Sequence, residues 1–329
     1  MKYLLYIFNF ETLSLKSVKI FSRSAALVLA VFLFIEIMLR VLIPANQTPT
    51  GHWRSHEIRL KAHQLEKLSD VDIMFTGNSL ASANVSPVVF DKEVMEHGIN
   101  ITSFNAGITG PDYEGVSIGF EKVFWKRKQS KYVVFIVSPY DLHESSKYWR
   151  KRTASFIKTF NIPNYKAAAI DFFSNFWIFG FRNEIRELLK TFSWKYEKDS
   201  FIGIRGFTPM KKGCKANLPD SLYIYKEGPI SKSFSEIVKT LSNQGVHVVI
   251  VEALLSSKYR KLNQGRLDSF YSLIKELKQE YNLTFLQINE IIPDDHYFMD
   301  PFHLNEEGAK KFSRNLAQKF LNLGLLKFH

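Results

Sequence analysis

The chain has 329 residues, 46% of them apolar and 29 of them Phe, which excludes a disordered polymer and suffices for one large domain or two modest ones. Its 44 Lys and Arg against 32 Asp and Glu give a formal charge of +12, so an anionic neighbour is expected: an acidic polymer, lipid headgroups or nucleic acid. The single cysteine, Cys214, excludes an intrachain disulfide and any metal site built on several thiolates.

A short leader, 1–23, precedes 24-SAALVLAVFLFIEIMLRVLI-43, which as a helix would rise about 30 Å and match a bilayer core. Pro44 and the polar 46-NQTPT-50 end it, while Glu36 would lie inside the bilayer and Arg40 would snorkel to one interface. A cleaved signal peptide or a buried core helix would be alternatives. The leader is long, however, the apolar core exceeds the usual signal-peptide length, and no small-x-small cleavage site follows, so a single-pass anchor is expected. Lys16, Lys19 and Arg23 on one side balance Arg54, Arg59 and Lys61 on the other, and charge does not orient it.

Residues 44–70 read as a tether, of which 51–70 are polar and partly helical in pattern, with Leu60, Leu65 and Leu68 at broken helical spacing. From 71 to 329 strands alternate with helices. Strands are predicted over about 71–76, 101–104, 132–138, 246–251 and 283–288, with helices near 86–97, 112–127, 231–244, 265–281 and 305–322. Runs such as 132-YVVFIVS-138 are apolar on both faces, as in a parallel sheet covered by helices on each side. The expected fold is therefore α/β, a flavodoxin-like three-layer α/β/α sandwich. Residues 142–230 break the rhythm as a large insertion after the third strand, with 16 Lys and Arg against eight Asp and Glu. It is expected at the carboxyl edge of the sheet as a lid or substrate-binding subdomain. Within it, 167-AAAIDFFSNFWIFGF-181 is too short to span a membrane and reads as an internal packing helix or an interfacial surface.

Four positions at strand ends, or before the last helix, can converge on one edge of such a sheet: 77-GNSL-80, 105-NAGITG-110, 138-SPYD-141 and 300-DPFHLNEEG-308. A serine hydroxyl needs a base to take its proton, and the base needs a carboxylate to hold its tautomer. Ser79, His303 and Asp300 supply those types, and backbone N–H groups at Ser79 and Gly107 would serve a developing oxyanion. Asp294, Asp295 and His296 have metal-capable side chains but read as a polar loop, so no metal and no cofactor is expected.

These blocks resemble the SGNH/GDSL hydrolase superfamily, which carries a Gly-Asp-Ser-Leu block, a Gly block, an Asn block and a closing Asp-x-x-His block. The first block has Asn78 where Asp is usual, NAGITG matches the second, and DPFHLNEEG matches the last. The third departs, with Tyr140 where the family's oxyanion-hole Asn stands, and Tyr140 is the candidate to replace it. The resemblance implies catalytic roles for Ser79, Asp300 and His303. Together with the anchor and the altered third block, it points to a membrane-anchored extracytoplasmic branch, similar to proteins that D-alanylate teichoic acids or O-acetylate polysaccharides. The expectation is a serine O-acyltransferase or esterase with an extracytoplasmic catalytic domain. Its partners would be the bilayer, an integral membrane acyl-donor protein and an anionic or polysaccharide acceptor, with no nucleic acid. The alternative is an anchored, non-catalytic scaffold or polymer-binding protein.

Overall fold

The computed structural model describes residues 15–42, 53–143, 153–154, 203–209, 228–257, 267–288 and 295–326. Most of the insertion, including 167–181 and Cys214, lies outside the described residues, as does Asp294. The chain divides into two units, Met1–His52 with Asn164–Lys198, and Trp53–Pro163 with Asp199–His329.

In the first unit, α1 (Leu15–Leu42) is one continuous helix of 28 residues, about 42 Å long at 1.5 Å per residue. Leu27, Val28, Leu29, Phe34, Ile37 and Val41 are exposed, whereas Glu36 is buried. The side chains described on α1 are those of 23–38 and 41. Among the described residues, no helix is long and apolar enough to cross a membrane.

The second unit is built on five parallel strands, β1 (Ile73–Gly77), β2 (Ser103–Asn105), β3 (Tyr132–Val137), β4 (His247–Glu252) and β5 (Thr284–Leu286), in the order β2-β1-β3-β4-β5. Each inner strand buries both faces. Met74, Val133, Phe135 and Val137 face one core, while Ile73, Phe75, Val134 and Ile136 face the other. The first core is closed by α2 (Trp53–Glu66), α5 (Tyr113–Gly119), α6 (Pro229–Asn243) and α7 (Asp268–Tyr281). The second is closed by α3 (Ser79–Asn84), α4 (Pro87–Glu96) and α8 (Glu306–Asn322). Helix α6 shows how the pattern decides the layer, since Ile230, Phe234, Ile237, Val238 and Leu241 recur at helical spacing and are all buried. Phe90 of α4 packs edge-on to Phe75 and to Phe320 of α8, at 5.1 and 5.5 Å, so it staples both helices to the sheet. The three-layer expectation holds. With β1 and β3 adjacent at the centre, the strand order reverses between them, and sheets of this order bind ligands at that crevice.

Three expectations change. Residues 53–66 are not a tether but a helix of the second unit, whose Ile58, Ala62 and Leu65 enter the core. Its buried face also carries Glu57 and Lys61, and those two charges mask the apolar stripe. The helix foreseen over 112–127 is α5 followed by a π-helical turn, Phe120–Trp125, which keeps Phe120, Phe124 and Trp125 all inside. Strands β2 and β5 are only three residues long each.

The return from the insertion is described at 203–209 and crosses the free edge of β2. Arg205, at φ 58° and ψ 36°, pairs with Asp91, and the Gly206 N–H donates to Gln64 Oε1 at 2.8 Å. Gly206 approaches so closely that a Cβ there would lie 2.1 Å from the Asn105 carbonyl oxygen. This segment covers an edge that would otherwise invite strand pairing.

Candidate active site

Strand β1 ends at Gly77, whose φ of 145° suits glycine and whose missing Cβ would lie 2.7 Å from the Ile136 carbonyl oxygen. That tight exit lets the chain enter α3 at once. Asn78 caps it, its Oδ1 accepting from the Leu80 N–H at 2.9 Å. Ser79 is therefore the first helical residue at the carboxyl end of a central strand, half-buried with its hydroxyl at the site.

The loop before α8 brings the partners. A bridge between Phe298 and Leu304 closes it, with the Met299 N–H donating to the His303 carbonyl at 2.8 Å. Asp300 Oδ1 accepts the backbone N–H groups of Phe302 and His303 at 2.9 and 2.8 Å, and Oδ2 lies 2.9 Å from His303 Nδ1. His303 Nε2 lies 2.8 Å from Ser79 Oγ. Since a carboxylate only accepts, the neutral ring holds its proton on Nδ1 and turns the Nε2 lone pair toward the serine. Ser79, His303 and Asp300 thus form one hydrogen-bonded chain across 224 residues of sequence.

Side chains to which the sequence assigned no role of their own hold this chain in place. Asn84, at the end of α3, accepts from the Leu304 N–H at 3.0 Å and donates to the Phe302 carbonyl at 3.3 Å, tying the serine's helix to the histidine's loop. Asn105 donates to the carbonyls of Ala81 and Val85, both at 2.7 Å, and so holds the other side of α3. Asp141 accepts the Asn78 side-chain amide at 2.5 Å and the Ser138 N–H at 2.7 Å. Burial pushes its carboxyl up to about 6, opposed by the Ser138 and Asn78 hydrogen bonds and the nearby His303. Asn at 78 is thus explained: beside Asp141 it supplies an N–H donor where a second carboxylate would repel.

Gly107, expected to face the oxyanion, lies on the loop after β2. It is buried and its N–H already donates to Asn105 Oδ1 at 2.9 Å. Its lack of a Cβ serves close packing, since a Cβ would lie 2.4 Å from the Ser82 nitrogen. The half-buried glycine on that loop is Gly110, with φ 105°. Tyr140 is half-buried, with its ring edge-on to Phe302 at a centroid distance of 5.6 Å. Asp295 accepts both the N–H and the hydroxyl of Ser257, at 2.7 and 2.5 Å. Among the described residues no group of three His, Cys, Asp or Glu is placed to hold a metal ion.

No protein-family model and no curated protein sequence matches this chain. Among solved structures it is similar to a lipase/acylhydrolase from Enterococcus faecalis, at 12% identity over 77% of this chain and 96% of that one, with a TM-score of 0.41. It is also similar to an acetylxylan esterase from Geobacillus stearothermophilus, at 11% identity over 78% and 95% of the two chains, with a TM-score of 0.42. A carbohydrate acetylesterase from Sinorhizobium meliloti is similar at 10% identity over 77% and 100%, with a TM-score of 0.38.

Proposed function

We propose that the protein is a serine esterase or O-acyltransferase of SGNH type, with Ser79 as nucleophile, His303 as general base and then acid, and Asp300 as the group that orients His303. The observation that carries this is the continuous contact from Asp300 through His303 to Ser79 Oγ. As Oγ bonds to an acyl carbon, its proton passes to Nε2 and the carbonyl electrons move to oxygen. Collapse expels the alcohol or thiol, which takes the Nε2 proton, and leaves an acyl-serine. A hydroxyl or water then enters with its proton going to Nε2, and a second collapse frees Ser79. The Asp300 carboxylate stabilises the imidazolium in both halves.

The oxyanion requires fixed N–H donors. Ser79's own N–H is the first, and we place the second on the 107–110 loop, where the Gly107 N–H donates to Asn105 Oδ1 and Thr109 and Gly110 are half-buried. Tyr140 stands where the family's Asn would; unless its hydroxyl replaces that donor, the hole is short of one side-chain donor, worth about 10²- to 10³-fold in rate. A slow hydrolase that passes small acyl groups to a polymer hydroxyl fits that deficit. The apolar run 24–43 and its exposed side chains on α1 support a single-pass anchor, and the basic excess of 142–230 supports an anionic or polysaccharide acceptor on the extracytoplasmic side. An integral membrane protein would supply the acyl group.

Labelling the full chain in membranes with a fluorophosphonate probe tests the assignment. Wild type should label at Ser79, S79A should not, and S79A cells should lose acylation of surface glycans while the protein stays in the alkaline-washed membrane pellet. The altered third block favours one rival, a non-catalytic scaffold, and absence of labelling in wild type would establish it.

A further inference from the structure

Outside the triad, α2 carries a buried ion pair with several hydrogen-bond partners among the described residues. Lys61 is 0% and Glu57 is 1% exposed, one helical turn apart. The Lys61 ammonium has three acceptors: Gly107 O at 2.6 Å, Ser82 Oγ at 2.9 Å and Glu57 Oε1 at 3.2 Å. Glu57 Oε1 also accepts from the Ser82 hydroxyl at 2.9 Å and the Thr109 hydroxyl at 3.1 Å. Each of the three ammonium protons thus has one acceptor, and burial, which pushes Lys61 down, is opposed by Glu57. Glu57 Oε2 has no hydrogen-bond partner among the described residues.

The bonded groups sit on two elements. Ser82 lies three residues after Ser79 on α3, and Gly107 and Thr109 belong to the loop that ends at Gly110. Oxyanion donors from these two elements must meet at one oxygen, and a displacement of about 1 Å costs about 10²-fold in rate. A buried ion pair adds little to stability compared with apolar side chains of the same size. What it supplies here is a fixed distance between two backbones. We propose that Lys61 and Glu57 are positioning residues for acyl transfer, the ammonium clamping the Gly107 carbonyl to Ser82 and so setting the 107–110 loop against the serine's helix. Helix α2, which reads as a linker in the sequence, is then part of the catalytic unit.

This rests on the serine acyl-transfer assignment. The test uses the full chain in detergent, with p-nitrophenyl acetate as substrate and a fluorophosphonate as probe. K61M alone leaves Glu57 buried and unpaired, so the double variant E57Q/K61M, which removes both charges, is the decisive one. It should unfold within a few degrees of wild type, yet lose about 10²-fold in kcat with KM within about threefold, and label proportionally more slowly. S82A, which removes the bonds of the Ser82 hydroxyl to Lys61 and Glu57 but keeps the Lys61–Gly107 bond, should lose about tenfold in kcat with KM unchanged. A folded double variant with wild-type kcat overturns the proposal, and if the double variant does not fold, S82A at wild-type kcat does so. If wild type itself fails to label, the serine assignment falls instead, which keeps the two failures distinct.

Discussion

Asp300→Asn should be far more damaging to activity than its size suggests, and the polarity of the hydrogen bonds says why. Asp300 Oδ1 receives two backbone N–H groups, from Phe302 and His303. An amide at this position must therefore keep its oxygen there, which puts its NH₂ where Oδ2 now lies, 2.9 Å from His303 Nδ1. An NH₂ can only donate to that nitrogen, which, although Oδ1 also lies 3.0 Å from Nδ1, favours the ring with its proton on Nε2, pointing at Ser79 Oγ 2.8 Å away. The base is then blocked in the wrong tautomer although the loop geometry survives. In a serine triad that exchange lowers kcat by about 10⁴-fold, or about 5.5 kcal/mol of transition-state stabilisation. Asp300→Ala leaves Nδ1 free to find water and should retain more activity than D300N, while unfolding at a lower temperature because two N–H groups lose their acceptor. The assay is p-nitrophenyl acetate hydrolysis by detergent-solubilised full chain, with thermal unfolding as the control. A D300N variant that keeps kcat within tenfold of wild type would refute the triad.

Other perturbations follow from the same geometry. Asp141 is raised from 3.8 to about 6 mainly by burial, so the folded state binds its proton more tightly and the contribution is fully present below about 3.8 and lost as pH rises through about 6. The advantage of wild type over D141N in thermal unfolding should shrink across that window, by at most about 3 kcal/mol since the residue keeps some solvent contact; parallel pH curves would count against it. Gly107→Ala places a Cβ against the backbone of Ser82, which cannot yield, and should destabilise by about 3 kcal/mol or more, seen as a large drop in unfolding temperature. An alanine tolerated there at no loss would mean that α3 is not held as described. Asn84→Ala orphans the Leu304 N–H and should cost about 1–3 kcal/mol and lower kcat by loosening the His303 loop. Unchanged kcat in a measurably destabilised N84A would separate that loop's stability from its role in the site.

The sheet and the chemical blocks were legible because both are written locally. Short, β-branched, doubly apolar runs such as 132–137 suit inner strands, and Gly77-Asn78-Ser79 and Asp300-x-x-His303 each place their groups within one turn. That all of them meet follows from parallel strands sharing a carboxyl edge. What the sequence left undecided depends on donor and acceptor directions, which arise only when distant backbones touch. The Gly107 N–H is available or not according to where Asn105 points, and Asn84 matters only because Leu304, 220 residues later, lies beside it. Helix α2 was misread for a related reason. A buried Lys and Glu look like solvent-facing residues until Ser82, Thr109 and the Gly107 carbonyl arrive to satisfy them. Periodicity records which side chains avoid water, and it determined the layers of this protein; the pairing of buried polar atoms, which built the site, was decided by tertiary structure alone.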